Sequence, residues 1–68
     1  MTDTARKIEA LLFLSPEPLA LDVLADLAEV DSAAAAAAID ELVDRHSETA
    51  GLEIVAIAGG FAMRTRAD

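Results

Sequence analysis

The sequence contains no cysteine, tryptophan or tyrosine, and only three glycines and two prolines among its 68 residues. Without cysteine, the chain has neither a disulfide nor a thiolate metal site to stabilise it. Its apolar runs fall well short of the roughly 20 residues that cross a bilayer. The first seven residues lack the basic and apolar segments of a signal peptide. The sequence therefore predicts a cytoplasmic protein with no membrane segment.

Basic residues are also scarce, with five lysines and arginines against thirteen acidic residues, for a net charge of −8. Proteins that bind nucleic acid usually have the opposite balance, because contacts to phosphate need cationic side chains. The charge therefore disfavours a DNA-binding function before any motif is considered.

The apolar fraction is 54%, much of it alanine, in a chain long enough for one domain only. A domain of this size buries about 60% of the surface that its unfolded chain exposes. The sequence offers more apolar surface than one small core can hide. Some of it is therefore expected to contact another subunit or domain.

The first predicted helix runs from Thr4 to Ser15, with Asp3 or Thr4 as its cap and Pro16 after its end. Its apolar residues fall into two stripes at helical spacing. One stripe contains Ala5, Ile8, Leu11 and Leu12, and the other contains Ala10, Phe13 and Leu14. The second stripe either belongs to the core or forms an interface. A core this small can hardly surround a helix, which favours the interface.

Two further helices are predicted, from Leu21 to Glu29 and from Ser32 to Thr49. Asp31 is the expected cap of the third helix, and Gly51 is its expected stop. The second helix is expected to bury Leu24, Leu27 and Ala28. The third is expected to present one face with Ala35, Ala38, Ile39, Leu42, Val43 and His46.

Two short apolar segments around Gly59-Gly60 predict a β-hairpin with a two-residue turn. In this register Ala58 faces Phe61, Ala56 faces Met63 and Ile54 faces Thr65, which gives one apolar face. On the other face Ile57 pairs with Ala62, Val55 with Arg64 and Glu53 with Arg66. The order of the elements predicts an α+β winged helix, in which helices two and three form a helix-turn-helix and the hairpin is the wing.

Four stretches carry a family resemblance: I-E-A-L-L-F at Ile8–Phe13, S-P-E-P-L at Ser15–Leu19, A-G-G-F at Ala58–Phe61 and R-T-R at Arg64–Arg66. Together they resemble the N-terminal part of the segregation and condensation protein B (ScpB) family, over essentially all 68 residues. The chain departs from the family at Ala20, where a serine or threonine usually caps helix two. It departs again at Glu29, where the family usually has glycine.

The resemblance implies a non-enzymatic accessory subunit in bacterial chromosome condensation and segregation, located in the cytoplasm at the nucleoid. It implies association with the kleisin ScpA and the SMC ATPase. Homodimers form commonly in the family, with contacts through this domain. It also implies that residues 1–68 are the first of two winged-helix domains, which agrees with a chain that stops directly after its second strand.

A DNA-binding transcriptional regulator is the alternative that the winged helix itself suggests, with helix three in the major groove. From Asp31 to Glu48, however, there are five acidic residues and one basic residue. The Gly-Gly tip of the wing also has no side chain to insert into a groove. A peripheral domain of an unrelated enzyme is a third hypothesis.

No residue pattern indicates a catalytic, metal, cofactor or small-molecule site. His46 is the only histidine, and we expect it at a helix end, either against the edge of the core or in solvent. The candidate interface residues are Ala10, Phe13 and Leu14, and secondarily Val55 and Ile57. The alternative is that these residues fill a core.

Overall fold

Three helices precede a two-stranded antiparallel hairpin: α1 Asp3–Leu14, α2 Leu21–Ala28, α3 Ser32–Ser47, β1 Leu52–Ile57 and β2 Gly60–Thr65. The structure is a computed structural model, and it describes residues 1–47 and 51–65. The order of its elements confirms the predicted winged helix. The predicted last turn of the third helix, at Glu48 and Thr49, lies outside the described residues.

The caps explain where the helices begin. The Thr2 hydroxyl accepts the backbone N–H of Ala5 at 3.1 Å, so α1 starts earlier than predicted, and the proposed caps Asp3 and Thr4 were wrong. Asp31 caps α3 as predicted, since its carboxylate accepts the N–H of Ala34 at 2.8 Å. Ala20 makes no side-chain capping bond to α2.

The core lies between the three helices and is closed by one face of the hairpin. Its four largest fully buried side chains are Ile8, Leu12, Leu24 and Leu42. Five alanines complete the buried set together with Ile39; these alanines are Ala5, Ala25, Ala28, Ala35 and Ala38. Because alanine is small, the helices approach closely around few large side chains.

Two predicted core residues lie at the surface instead. Leu27 is 56% exposed, because α2 buries the face formed by Leu24, Ala25 and Ala28 against α1 and α3. Val43 is also exposed, since it lies beside the buried face of α3, which includes Ile39 and Leu42. The helical period was correct in both helices: α2 buries Ala25 in place of Leu27, and α3 buries Ala35, Ala38, Ile39 and Leu42 of its predicted face.

The hairpin turns at Ala58-Gly59, so the predicted Gly59-Gly60 turn and its register were wrong. Both turn residues have positive φ, 50° at Ala58 and 80° at Gly59, as a type I′ turn requires. Ile57 therefore pairs with Gly60, and Ile54 pairs with Met63 instead of Thr65. Each β1 residue changes its partner by two positions, so the same side chains still share a face. The apolar face prediction is confirmed, as Ile54, Phe61 and Met63 pack on the core.

Gly60 is needed where the hairpin meets the segment before α2. Leu19 and Phe61 exchange two backbone hydrogen bonds, of 2.9 and 2.8 Å, which form an isolated β-bridge beside β2. A Cβ on Gly60 would lie 3.0 Å from the Leu19 carbonyl carbon and 3.1 Å from its oxygen. The close approach of the two backbones therefore places Gly60 in the strand rather than in the turn.

The tight turn between α2 and α3 places a non-glycine residue in the left-handed region. Glu29 has φ 61° and ψ 44°, and the N–H of Val30 donates to the Ala25 carbonyl at 2.9 Å to close the helix end. Glycine adopts this conformation without the steric cost that a Cβ brings.

Replacing Gly60 with alanine should lower the free energy of unfolding by about 1–3 kcal/mol, because the new methyl group overpacks against the Leu19 backbone. Amide hydrogen exchange should show faster exchange at Leu19 and Phe61. Gly59→Ala is the comparison: its Cβ would meet no neighbouring atom, but φ of 80° strains it, so it destabilises the turn without touching the Leu19 backbone. At equal loss of overall stability, exchange at Leu19 and Phe61 should rise more in the Gly60 variant, and equal exchange in the two variants would contradict the steric explanation.

Replacing Glu29 with glycine should stabilise the chain by about 1 kcal/mol, because it removes the Cβ from a left-handed residue. Thermal or urea unfolding measures the change. Glu29→Ala keeps the Cβ and should stay within about 0.5 kcal/mol of the parent. If alanine stabilised the chain as much as glycine, the gain would come from removing the charge.

Candidate interaction surface

Helix α1 buries one side and exposes apolar residues on the other. Ile8 and Leu12 are buried, whereas Phe13 is 69% and Leu14 77% exposed, and Ala10 is exposed beside them. The residues that form the exposed apolar surface of α1 are Ala10, Phe13 and Leu14. They do not fill the core of this domain.

A groove of about 400 Å³ borders this surface where α1, the end of α3 and the hairpin meet. Its lining residues are Arg6, Glu9, Ala10, Phe13, His46, Leu52 and Met63. The apolar lining comes from α1 and both strands, and charged side chains stand beside it. A mainly apolar groove with a few polar groups is typical of a surface that receives a partner's side chain.

One polar contact links the groove's two helices. The Glu9 carboxylate lies 2.7 Å from Nε2 of His46 in the last turn of α3. The His46 side chain is largely buried, which confirms its predicted place at a helix end, against the edge of the core rather than in solvent. The contact holds the middle of α1 against the end of α3 and thereby fixes one wall of the groove.

A second contact holds the start of α1. Thr2 donates its backbone N–H to one oxygen of the Glu41 carboxylate at 2.9 Å and its hydroxyl to the other at 3.1 Å. The same hydroxyl caps α1. The burial of Ala5, Ile8 and Leu12 sets which side of α1 faces the core, and hence the direction in which Phe13 faces. The two polar contacts lie at separate points along α1 and join it to α3 in this orientation.

The secondary candidates lie on the outer face of the hairpin, away from α1. Ile57 is exposed and Val55 is half-buried. Glu53 on the same face accepts a bond from Nε of Arg64 at 3.0 Å, because the true register places these residues opposite each other. The predicted partner of Glu53, Arg66, lies outside the described residues.

The solvent face of α3 has no run of basic side chains. Asp40 and Asp44 are exposed there together with Ala33 and Ala37. Within residues 1–47 and 51–65, no three histidine or carboxylate side chains are grouped to hold a metal ion. In the same part of the chain, no helix combines the length and apolarity that a membrane crossing requires. The fold and its exposed residues thus define a winged helix whose distinctive surface is apolar rather than basic.

Comparison with known proteins agrees with the assignment of this chain as a winged helix. The family model of the segregation and condensation complex subunit ScpB matches residues 6–68. The chain therefore belongs to the ScpB family. No curated protein sequence matches the chain.

Two solved structures are similar over almost the whole chain. The crystal structure of ScpB from Mycobacterium tuberculosis superposes with a TM-score of 0.86 at 29% identity over 96% of this chain. A conserved hypothetical protein from Chlorobium tepidum superposes with a TM-score of 0.78 at 33% identity over 94% of it. The chain spans 41% of the length of each of these proteins.

Replacing Phe13 with lysine should change the free energy of unfolding by no more than about 0.5 kcal/mol, because the side chain lies outside the core. Leu12→Ala, one residue away but buried, should cost about 2–5 kcal/mol. Circular dichroism during thermal unfolding compares the two. Global unfolding of the Phe13 variant would show that the ring supports the fold.

Proposed function

We propose that this domain is a subunit-contact domain of a non-enzymatic ScpB-type scaffold, and that it forms a homodimer through the exposed apolar surface of α1. The observation that carries the proposal is the exposure of Phe13 and Leu14 beside the apolar groove. Large apolar side chains that cluster outside a core are the usual anchors of protein interfaces.

The charge of α1 supports contact with a second copy. Along Asp3–Leu14 there are two acidic residues, Asp3 and Glu9, and two basic residues, Arg6 and Lys7. The chain as a whole carries −8, so two copies repel each other over most orientations. A helix with balanced charge can approach its own copy without this penalty. This makes α1 the favoured surface for self-association.

The proposed role in the cell follows from the family. We place the full protein with the kleisin ScpA and the SMC ATPase, in the cytoplasm at the nucleoid, as an accessory subunit in chromosome condensation and segregation. Members of the family carry a second winged-helix domain, and we propose the same organisation here. Val55 and Ile57 remain secondary contact candidates within this proposal.

The DNA-binding alternative receives no support from the surface of α3. A helix that reads the major groove must face phosphates, and Asp40 and Asp44 would be repelled by them. On the wing, Arg64 is held by Glu53. The alanines on the solvent face of α3 offer no hydrogen-bonding group to a base edge.

The dimer proposal predicts that Phe13→Lys weakens self-association by about 2 kcal/mol or more, roughly thirtyfold in Kd, because a charge replaces a central apolar anchor. Sedimentation velocity over a concentration series measures the Kd. Leu27→Lys is a matched control, since it changes an exposed leucine on α2. The control should dimerise like the parent.

Co-purification of the full protein with the kleisin and the SMC protein tests the cellular role. A parent chain that stays monomeric at millimolar concentration would contradict the dimer. An equal loss of dimer in the Phe13 and Leu27 variants would assign self-association to another surface. Absence of the kleisin from the purified complex would contradict the scaffold role separately.

A further inference from the structure

The outer edge of β1 presents backbone groups to solvent, and the orientation of these groups follows from the ladder. Phe61 uses its N–H and C=O to pair with Leu19, so these groups point away from β1. Ala56 lies directly opposite Phe61. In an antiparallel ladder opposite residues form the same type of pair, so the N–H and C=O of Ala56 point away from β2. Ile54, two residues earlier, has the same orientation.

This edge has few of the features that protect exposed strands, and Glu53 is its one charged side chain. In residues 1–47 and 51–65, no hydrogen bond outside the hairpin ladder closes on the backbone of Ile54 or Ala56. The strand Leu52–Ile57 contains no proline and no lysine, and its register runs without a bulge. An open, regular and mostly apolar edge is a template for an added strand.

A groove runs beside this edge. It has a volume of about 200 Å³ and is lined by Val43, His46, Ser47, Glu53 and Ile54. A strand that pairs with β1 would place alternate side chains on the two sides of the sheet. One set would enter the groove against Val43 and Ile54, and the other set would lie beside Val55 and Ile57. This is the arrangement by which peptide-binding domains combine backbone pairing with side-chain pockets.

Exposed carboxylates of α3 next to the groove lining favour a basic occupant. Asp40 lies one helical turn before Val43 and Asp44 directly follows it; neither lines the groove itself, and Arg45 is exposed after them. The Arg64 guanidinium is held by Glu53 and so does not offset these carboxylates. A second copy would bring another acidic α3 toward this edge, which costs free energy, whereas lysine or arginine side chains would be attracted.

We propose that the edge of β1 binds an extended peptide segment of a partner protein, with alternating apolar and basic residues, as an added strand, its basic side chains on the side of α3 and its apolar side chains beside Val55 and Ile57. The site extends the proposed role as a subunit-contact domain and does not depend on the α1 surface. It also gives the outer-face residues Val55 and Ile57 a specific occupant.

The test is an NMR titration of the ¹⁵N-labelled chain with a capped peptide of alternating valine and lysine, about six residues long, like a typical strand. Binding should shift the amide signals of Ile54 and Ala56. Ala56→Pro removes one outward N–H without breaking the β1–β2 ladder, a position where strands tolerate proline. It should weaken binding about tenfold. Ala56→Val keeps the N–H and is the matched control.

Two altered peptides separate the contribution of backbone pairing from the contribution of charge. A peptide with methylated backbone nitrogens should fail to bind because it cannot donate to β1, and a valine–glutamate peptide should bind at least tenfold more weakly, a loss of about 1.4 kcal/mol. Phe13→Lys should bind the valine–lysine peptide like the parent, so failure of the dimer proposal would not affect this result.

Several outcomes would overturn the inference. Absence of any shift at millimolar peptide would do so, as would equal binding by the Ala56→Pro variant. Equal binding of the valine–glutamate peptide would remove the charge argument that selects a basic occupant. Self-association of the parent chain that is lost in Ala56→Pro and kept in Ala56→Val would assign the edge to a second copy instead of a peptide.

Discussion

The pair of hydrogen bonds between Leu19 and Phe61 is the constraint on which the rest of the structure depends. It joins the segment between α1 and α2 to the hairpin, and it brings two backbones so close that Gly60 has no room for a side chain. Gly60 is thereby placed in the strand, and the turn moves to Ala58-Gly59. The register of the hairpin, the pairing of Glu53 with Arg64 and the outward direction of the β1 edge all follow from this contact.

The distribution of large and small side chains decides what remains at the surface. The core is closed by few large residues because alanines let the three helices approach one another. A core of this size has no place for a second apolar side of α1, and Phe13 and Leu14 therefore stay exposed. The burial of Ile8 and Leu12 fixes the rotation of α1 that exposes them, and the contacts of Thr2 with Glu41 and of Glu9 with His46 join α1 to α3 in that orientation.

Two surfaces of different character result. The outer side of α1 is apolar with balanced charge, while the edge of β1 lies beside the exposed carboxylates of α3. The first suits a copy of the same chain, and the second suits a basic extended segment. A scaffold in a multi-subunit assembly needs contacts of more than one kind. These are the two contacts that the scaffold role proposed for this winged helix of the ScpB family would use.

Local signals in the sequence determined the helices, the cap at Asp31, the order of elements and the apolar face of the hairpin. These depend on propensity, capping and periodicity, which act over a few neighbouring residues. The apolar face of the hairpin was predicted correctly despite an incorrect register, because a shift of two positions preserves the alternation of side chains. The exposure of Leu27 was decided by how α2 rotates against two neighbouring helices, and the turn by a contact between Leu19 and Gly60, forty-one positions apart (60 − 19). Such long-range contacts leave no local pattern, so only the tertiary structure could decide them.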